Sequence, residues 1–174
     1  TQGECARHHQ AAFLNVGERR GGRARKRIIE SPSIRLLPMK LAASIFKAYD
    51  IRGIVDDTLT EAAARAVGHA MGLQALGEGI TEAVVGRDGR LSGPRLLGAL
   101  SEGFRDAGLG VVDIGQVTTP MVYFAAFELG CGTGVAVTGS HNPPEYNGLK
   151  MMIGGSALYG DTILGLRDAI EAGL

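Results

Sequence analysis

Only two cysteines, no tryptophan and no net charge are found in this 174-residue sequence. Cys5 and Cys131 stand far apart and match no metal-ligating or redox spacing, so nothing points to a disulfide-stapled fold. Cys131 reads as a small buried hydrophobe. No apolar run is long enough to cross a membrane as a helix. The zero net charge conceals an asymmetry: residues 1–40 carry nine Lys/Arg and three Asp/Glu, and the remainder nine and fifteen. The larger part is therefore mildly acidic, which argues against a nucleic-acid-binding surface there.

The composition that remains is ordinary, with 45% hydrophobic and 21% charged residues, and the length fits one domain. The 27 glycines are scattered among apolar periodic segments, as in a fold with many tight strand–helix turns. Residues 1–38 differ from the rest. The cluster Gly21-Gly22-Arg23-Ala24-Arg25-Lys26-Arg27 has neither helical nor strand periodicity, and no apolar core of a secretory signal accompanies it. Arginine richness fits a transit peptide, but Glu4, Glu18 and Glu30 oppose that reading. A basic nucleic-acid tail is the weaker alternative to a simply solvated charge run. Residues 1–42 are thus expected to be a basic extension, disordered or non-native, with Met39 as the natural start, and residues 43–174 to form the domain.

Within the domain, strands and helices alternate. Ile45–Arg52 reads as a strand or an extended entry segment, ended by Gly53. Thr58 and Glu61 have capping-box spacing ahead of a helix with Ala64, Val67 and Met71 on one face. Gly68, Gly72 and Gly77 cost that helix stability and are read as permitting close packing on the sheet. His69 is read as a partly exposed helix residue. Glu82–Gly86 is a short buried strand, followed by the turn Arg87-Asp88-Gly89-Arg90. Two arginines at a strand end can attract a phosphate, but an Arg-Asp-Arg cluster can also satisfy itself. Ser92 reads as a helix N-cap with Pro94 in the first turn, Leu97, Leu100 and Phe104 as the core stripe, and Gly108 as the stop. Gly110–Gly115 is the next strand. Thr119 and Pro120 open a helix whose Met121, Phe124 and Ala125 are read as core. Val135-Ala136-Val137 is a strand, and Gly148–Ile153 another. Asp161 caps a last helix carrying Ile163, Leu164, Leu166 and Ile170. This pattern gives an α/β fold, a mixed, mostly parallel sheet with helices packed on it. The strand after residue 148 has no helix before it and is expected to lie antiparallel.

The stretch that carries chemistry is Thr138-Gly139-Ser140-His141-Asn142-Pro143-Pro144-Glu145-Tyr146-Asn147-Gly148-Leu149-Lys150. It empties from a buried strand into a loop dense in turn formers. In open α/β sheets ligands bind outside the carboxyl ends of strands, which is where Ser140 stands. A serine hydroxyl at neutral pH needs an activating base. There is no G-x-S-x-G elbow, and His141 is badly placed as that base, since adjacent side chains rarely point at one another. A serine hydrolase is therefore disfavoured. Lys150 lies where the chain folding back could bring its ammonium near a group on Ser140. Tyr49 offers a hydroxyl on an apolar body, and Arg52 a planar fork suited to phosphate. The plainer alternatives are a polar turn, a solvated strand-edge lysine and an arginine paired with Asp50.

The loop Thr138–Pro143 resembles the active-serine loop of the α-D-phosphohexomutases, above all the bacterial phosphomannomutase/phosphoglucomutase branch. Phe46–Gly53, Val85–Gly93, Thr118-Thr119-Pro120 and Asn147–Lys150 agree with the same family, in its order and at family-like spacing. Together they cover roughly residues 44 to 174 and match only the first of the family's four domains. The resemblance implies that Ser140 is a phosphoserine interconverting hexose 1-phosphate and hexose 6-phosphate of mannose or glucose through a 1,6-bisphosphate. It implies Ser140, Lys150 and Arg52 as catalytic, and Tyr49, Arg52, His141, Asn142 and Lys150 as substrate-binding. It implies Mg²⁺ held partly through the phosphate on Ser140, hexose 1,6-bisphosphate as activator, a cytoplasmic setting, no nucleic-acid or membrane partner, and docking to later domains. The family's metal loop, D-x-D-x-D-R, is absent from the sequence. The 174 residues alone are therefore expected to be inactive, and a non-catalytic phosphosugar-binding or regulatory module of the same fold is the competing reading.

Overall fold

A computed structural model describes residues 37–173, and the basic cluster and Cys5 lie outside these described residues. The chain enters through a 3₁₀ turn, Ala43–Ile45, and then runs β1 Ile51–Ile54, α1 Glu61–Gly77, β2 Glu82–Arg87, α2 Gly93–Ala107 and β3 Gly110–Gln116. It continues as α3 Thr119–Glu128, β4 Gly134–Val137, β5 Tyr146–Ile153, β6 Ser156–Ala157 and α4 Asp161–Glu171. The fold also takes in residues ahead of Ala43: Leu41 is buried in the core, and the Met39 N–H donates to the Ile170 carbonyl.

The strands form one mixed sheet in the order β1-β5-β4-β2-β3, with β6 on β5. Its parallel half is β3-β2-β4, while β5 lies antiparallel to both β4 and β1, as the missing helix before it requires. Helices α1, α2 and α4 share one core with the sheet, built on Ile51, Val85, Val135, Leu149, Met151, Phe104 and Ile163. Helix α3 covers the other face through Val122 and Ala126, against Val84, Ala136 and Met152. Right-handed crossovers account for the split. The chain moves one way along the sheet through β1-α1-β2-α2-β3, then reverses through α3 to β4, so α3 falls on the opposite face. Among the described residues no helix is long and apolar enough to cross a membrane.

Several local expectations shift. The first strand begins only at Ile51, because Lys47–Asp50 turn with the Lys47 N–H on the Asp50 carbonyl. Gly53 lies inside it rather than ending it. The N-cap of α1 is Thr60, whose Oγ1 accepts from the Ala63 N–H at 3.1 Å. Thr58 instead accepts from the Ile54 N–H at 2.9 Å, tying β1 to the turn that follows. Ser92 sits at the α2 cap position without a capping bond, and Thr118, not Thr119, precedes α3. Asp161 is the first residue of α4, after Gly160. Met121 and Phe124 are exposed on α3, since the helix turns its small residues to the sheet. Leu164 is likewise partly exposed, whereas His69 is buried in α1.

Gly68 and Gly72 of α1 do serve close packing, but against α2 rather than the sheet. A side chain at Gly68 would strike the Leu100 carbonyl, and one at Gly72 would meet Ala107 Cβ at 2.6 Å. Gly77 has open space around it. Gly68→Ala is therefore expected to destabilise by about 1–3 kcal/mol, because a backbone carbonyl cannot swing away as a side chain can. Gly77→Ala is expected to be neutral or stabilising by up to about 1 kcal/mol. Urea unfolding of the two variants beside the parent chain checks both, and equal destabilisation would contradict the α1–α2 contact as the cause.

Candidate active site

Three strand ends meet on one edge of the sheet. The loop after β2 carries Asp88 and Arg90, the loop after β4 carries Ser140, and β1 ends beside them, with the Val55 N–H on the Glu145 carbonyl. Ser140 is exposed and stands at φ 54°, a left-handed conformation uncommon for a residue with a side chain. Such backbone costs on the order of 1–3 kcal/mol and persists only where neighbours over-determine it. Here they do. The Ser140 N–H donates to Thr138 Oγ1 at 2.9 Å, and Thr138 Oγ1 donates to Asp88 Oδ2 at 2.8 Å. Asn142 closes the turn, its N–H and its Nδ2 both donating to the Gly139 carbonyl, at 3.0 and 2.8 Å.

The left-handed turn overturns one expectation about His141. Its Nδ1 lies 3.2 Å from Ser140 Oγ, so the adjacent side chains do meet. No third group orients the imidazole among the described residues, and the arrangement of a nucleophile, a base and an orienting carboxylate is not assembled.

Beneath the loop lies Arg90. Its Nη1 donates to the carbonyls of Pro143 (2.6 Å) and Tyr146 (2.9 Å), and its Nη2 to those of Ser140 (3.1 Å) and Asn142 (2.6 Å). Its Nε faces Asp88 Oδ2 at 3.4 Å. The absence of a side chain at Gly139 admits this guanidinium, since a Cβ there would collide with it. Asn147 is fully buried and links the same loops, donating from Nδ2 to Ser92 Oγ at 2.9 Å. The hydroxyl read as an N-cap is thus spent on loop attachment.

A second cluster sits on the α3 side of the sheet, where β1 and β5 lie side by side. Leu149, Met151 and Ile153 of β5 point into the large core, so Gly148 and Lys150 face the other way. Arg52 pairs with Gly148 in register and shares that face. Asp50, with its side chain only 7% exposed, accepts from Arg52 Nη2 at 2.5 Å and from Lys150 Nζ at 3.4 Å. Two half-buried cations thus share one carboxylate, leaving a net positive surface that attracts an anion. The Arg52–Asp50 pairing weighed from the sequence is present, and it is this pairing that gathers Lys150 as well. Tyr49, just before this cluster, is 76% exposed.

The sequence-derived residues therefore fall into two groups, Ser140-His141-Asn142 in the loop and Arg52-Lys150 around Asp50. Among the described residues no hydrogen bond joins Ser140 to Lys150. Sequence reasoning read Asp50 and Asp88 only as partners of neighbouring arginines and left Thr138 and Asn147 without roles. The only available signal for them was an unusual density of charge and hydrogen-bonding side chains beside strand ends. A groove of about 550 Å³ adjoins the loop, lined by residues that include Leu91, Arg95, Pro144 and Glu145. In it the Arg95 guanidinium holds the Asp56 carboxyl below its ordinary value.

The donors around Ser140 do not by themselves fit a divalent cation. Among the described residues no three His, Cys, Asp or Glu side chains gather as ligands. The carboxylate bonded to the loop, Asp88, already accepts from Thr138, Gly139 and Arg90. Mg²⁺ asks for near-octahedral oxygen ligation, far more than these groups leave free.

Comparison with known proteins gives a consistent result. The sequence profile of the family described as phosphoglucomutase/phosphomannomutase, alpha/beta/alpha domain I, matches residues 43–173. A phosphoglucomutase of Neisseria meningitidis serogroup A is 53% identical over 131 residues, covering 75% of this chain and 28% of that protein. A phosphomannomutase/phosphoglucomutase of Pseudomonas aeruginosa is 51% identical over the same coverage. The crystal structure of a phosphoglucomutase/phosphomannomutase family protein from Burkholderia thailandensis superposes with a TM-score of 0.71 at 51% identity, covering 75% of this chain and 30% of that one. The chain thus spans little more than a quarter of the length of these relatives.

Proposed function

The chain belongs to the phosphoglucomutase/phosphomannomutase family through its domain I, and from that premise we propose that it supplies the phosphoryl-carrying serine of a hexose phosphate mutase. The observation that carries this reading is the exposed Ser140 hydroxyl, held by a strained and heavily bonded loop at the carboxyl end of β4. In the resting state Ser140 bears a phosphoryl group. The C6 hydroxyl of a glucose or mannose 1-phosphate attacks its phosphorus. The bond to Ser140 Oγ breaks, and the hydroxyl proton leaves to a base. The resulting 1,6-bisphosphate returns its other phosphoryl group to Ser140, releasing hexose 6-phosphate. Hexose 1,6-bisphosphate would also recharge an empty serine.

Phosphoryl transfer asks a protein mainly for positioning and charge stabilisation. Lys150 and Arg52 supply cationic charge beside Asp50, with Lys150 suited to hold or pass a proton. His141 contacts the carrier oxygen, Asn142 shapes the loop, and Tyr49 offers an exposed hydroxyl to the sugar. Mg²⁺ would meet this chain only through the phosphate on Ser140. The donors here do not complete its shell. Further domains, such as make up the rest of the relatives' length, would dock on this one and complete the cleft, in a cytoplasmic enzyme.

The test is peptide mass spectrometry of this chain joined to the remaining domains of the Neisseria relative. The expected result is a phosphate on Ser140 that departs on adding glucose or mannose 1-phosphate, with bisphosphate appearing. A folded protein whose Ser140 stays bare even with hexose 1,6-bisphosphate and Mg²⁺ would overturn the carrier mechanism. It would leave a phosphosugar-binding module as the better reading.

A further inference from the structure

We infer that Arg90 is a positioning residue for Ser140: its guanidinium holds the serine loop in the one backbone conformation that turns the hydroxyl outward. Arginine has five N–H donors in a rigid plane. Here the four Nη donors are hydrogen-bonded, two from Nη1 to Pro143 and Tyr146 and two from Nη2 to Ser140 and Asn142, while Nε faces Asp88 as an ion pair. No Nη donor remains for a phosphate, so Arg90 holds the loop rather than the transferred group.

What Arg90 does is fix peptide planes. The Ser140 carbonyl is held by Arg90, and the Ser140 N–H is held by Thr138, which is itself held by Asp88. Asp88 and Arg90 are paired with each other, so both backbone groups of Ser140 end on one clamp anchored at the end of β2. With the peptide groups on either side restrained, φ stays at 54°, and Oγ is the polar group left facing solvent. The strand β2 thereby sets the position of a side chain that belongs to β4. Lysine cannot replace this fork. It presents donors from a single point and cannot span the carbonyls of residues 140 and 146 together.

The kinetic arm of the test rests on the mutase reading, and the exchange arm does not. In the 174-residue chain, Arg90→Lys is expected to speed amide hydrogen exchange across residues 139–146 about tenfold, with the helices unchanged. In the chain joined to the Neisseria domains, the same change is expected to lower kcat on the order of 100-fold, as small misplacements of a reacting group do. KM for glucose 1-phosphate should stay within about threefold. Thr138→Val, which removes the hydroxyl bridging the Ser140 N–H and Asp88 and leaves the Arg90 bonds in place, gives the same pattern in milder form and serves if Arg90→Lys fails to fold. Loop exchange and kcat at parent values in a folded Arg90→Lys protein would overturn the proposal. So would a lower melting temperature with kcat unchanged, which marks a merely structural arginine. If the parent fusion itself takes no phosphate on Ser140, the mutase reading fails, and loop exchange alone decides the clamp.

Discussion

Replacing Ser140 with alanine is expected to lower phosphoryl transfer by at least about 10⁴-fold in the chain joined to its relative's remaining domains, the scale on which losing a nucleophile acts. The loss should be chemical rather than structural. The Ser140 side chain is exposed, and among the described residues its one hydrogen bond is with His141 Nδ1 at 3.2 Å, so Ser140→Ala should melt close to the parent. Ser140→Gly sharpens the point. It is equally unable to carry a phosphoryl group, yet it adopts φ 54° without the penalty a side chain incurs, and should be more stable than the parent by about 1 kcal/mol. A more stable and inactive Ser140→Gly protein would show stability given up for function at this one residue. Retention of more than about one hundredth of the parent rate in either variant is inconsistent with a covalent carrier.

Lys150→Met is expected to lower kcat by about 10²–10⁴-fold, the range over which a positioned proton donor or acceptor acts. Methionine keeps the apolar stem against the sheet and deletes only the ammonium. Asp50 retains Arg52 as its partner, so the cost to stability should stay below about 1 kcal/mol. Lys150→Arg then separates the two possible contributions. Arginine restores the positive charge but does not deprotonate. Recovery of most of the rate in Lys150→Arg identifies electrostatic stabilisation. Persistent loss, together with a missing limb in the pH–rate profile, identifies proton transfer. A Lys150→Met protein with more than a tenth of the parent kcat would remove Lys150 from the mechanism, whatever becomes of Ser140.

The loop's place at the end of a strand was legible because its residue types are locally informative. Asn-Pro, Pro-Pro and Asn-Gly break regular structure, and a serine at the end of an apolar run falls at a strand's carboxyl end. The antiparallel return of β5 was equally legible, since no helix separates it from β4. Misreadings cluster where two local choices are nearly equal. Thr58 and Thr60 can each cap a helix, and tertiary contact with β1 took Thr58 away. On α3 nearly every residue is apolar, so periodicity could not say which stripe faces inward. The sheet favoured small Val122 and Ala126 over Met121 and Phe124.

The amino-acid sequence by itself determined the alternation of strands and helices, the mixed sheet, the family and the serine loop. Each of these rests on neighbours in sequence, through hydrophobic period, turn chemistry or motif. The tertiary structure alone decided how that loop is held. Arg90 reaches its carbonyl partners across fifty and more positions of chain, and Asp50 meets Lys150 across a hundred. Such partners are set by which strands lie side by side, and no local pattern records that order. Even the contact of Ser140 with the very next side chain depended on a backbone angle that those distant bonds impose.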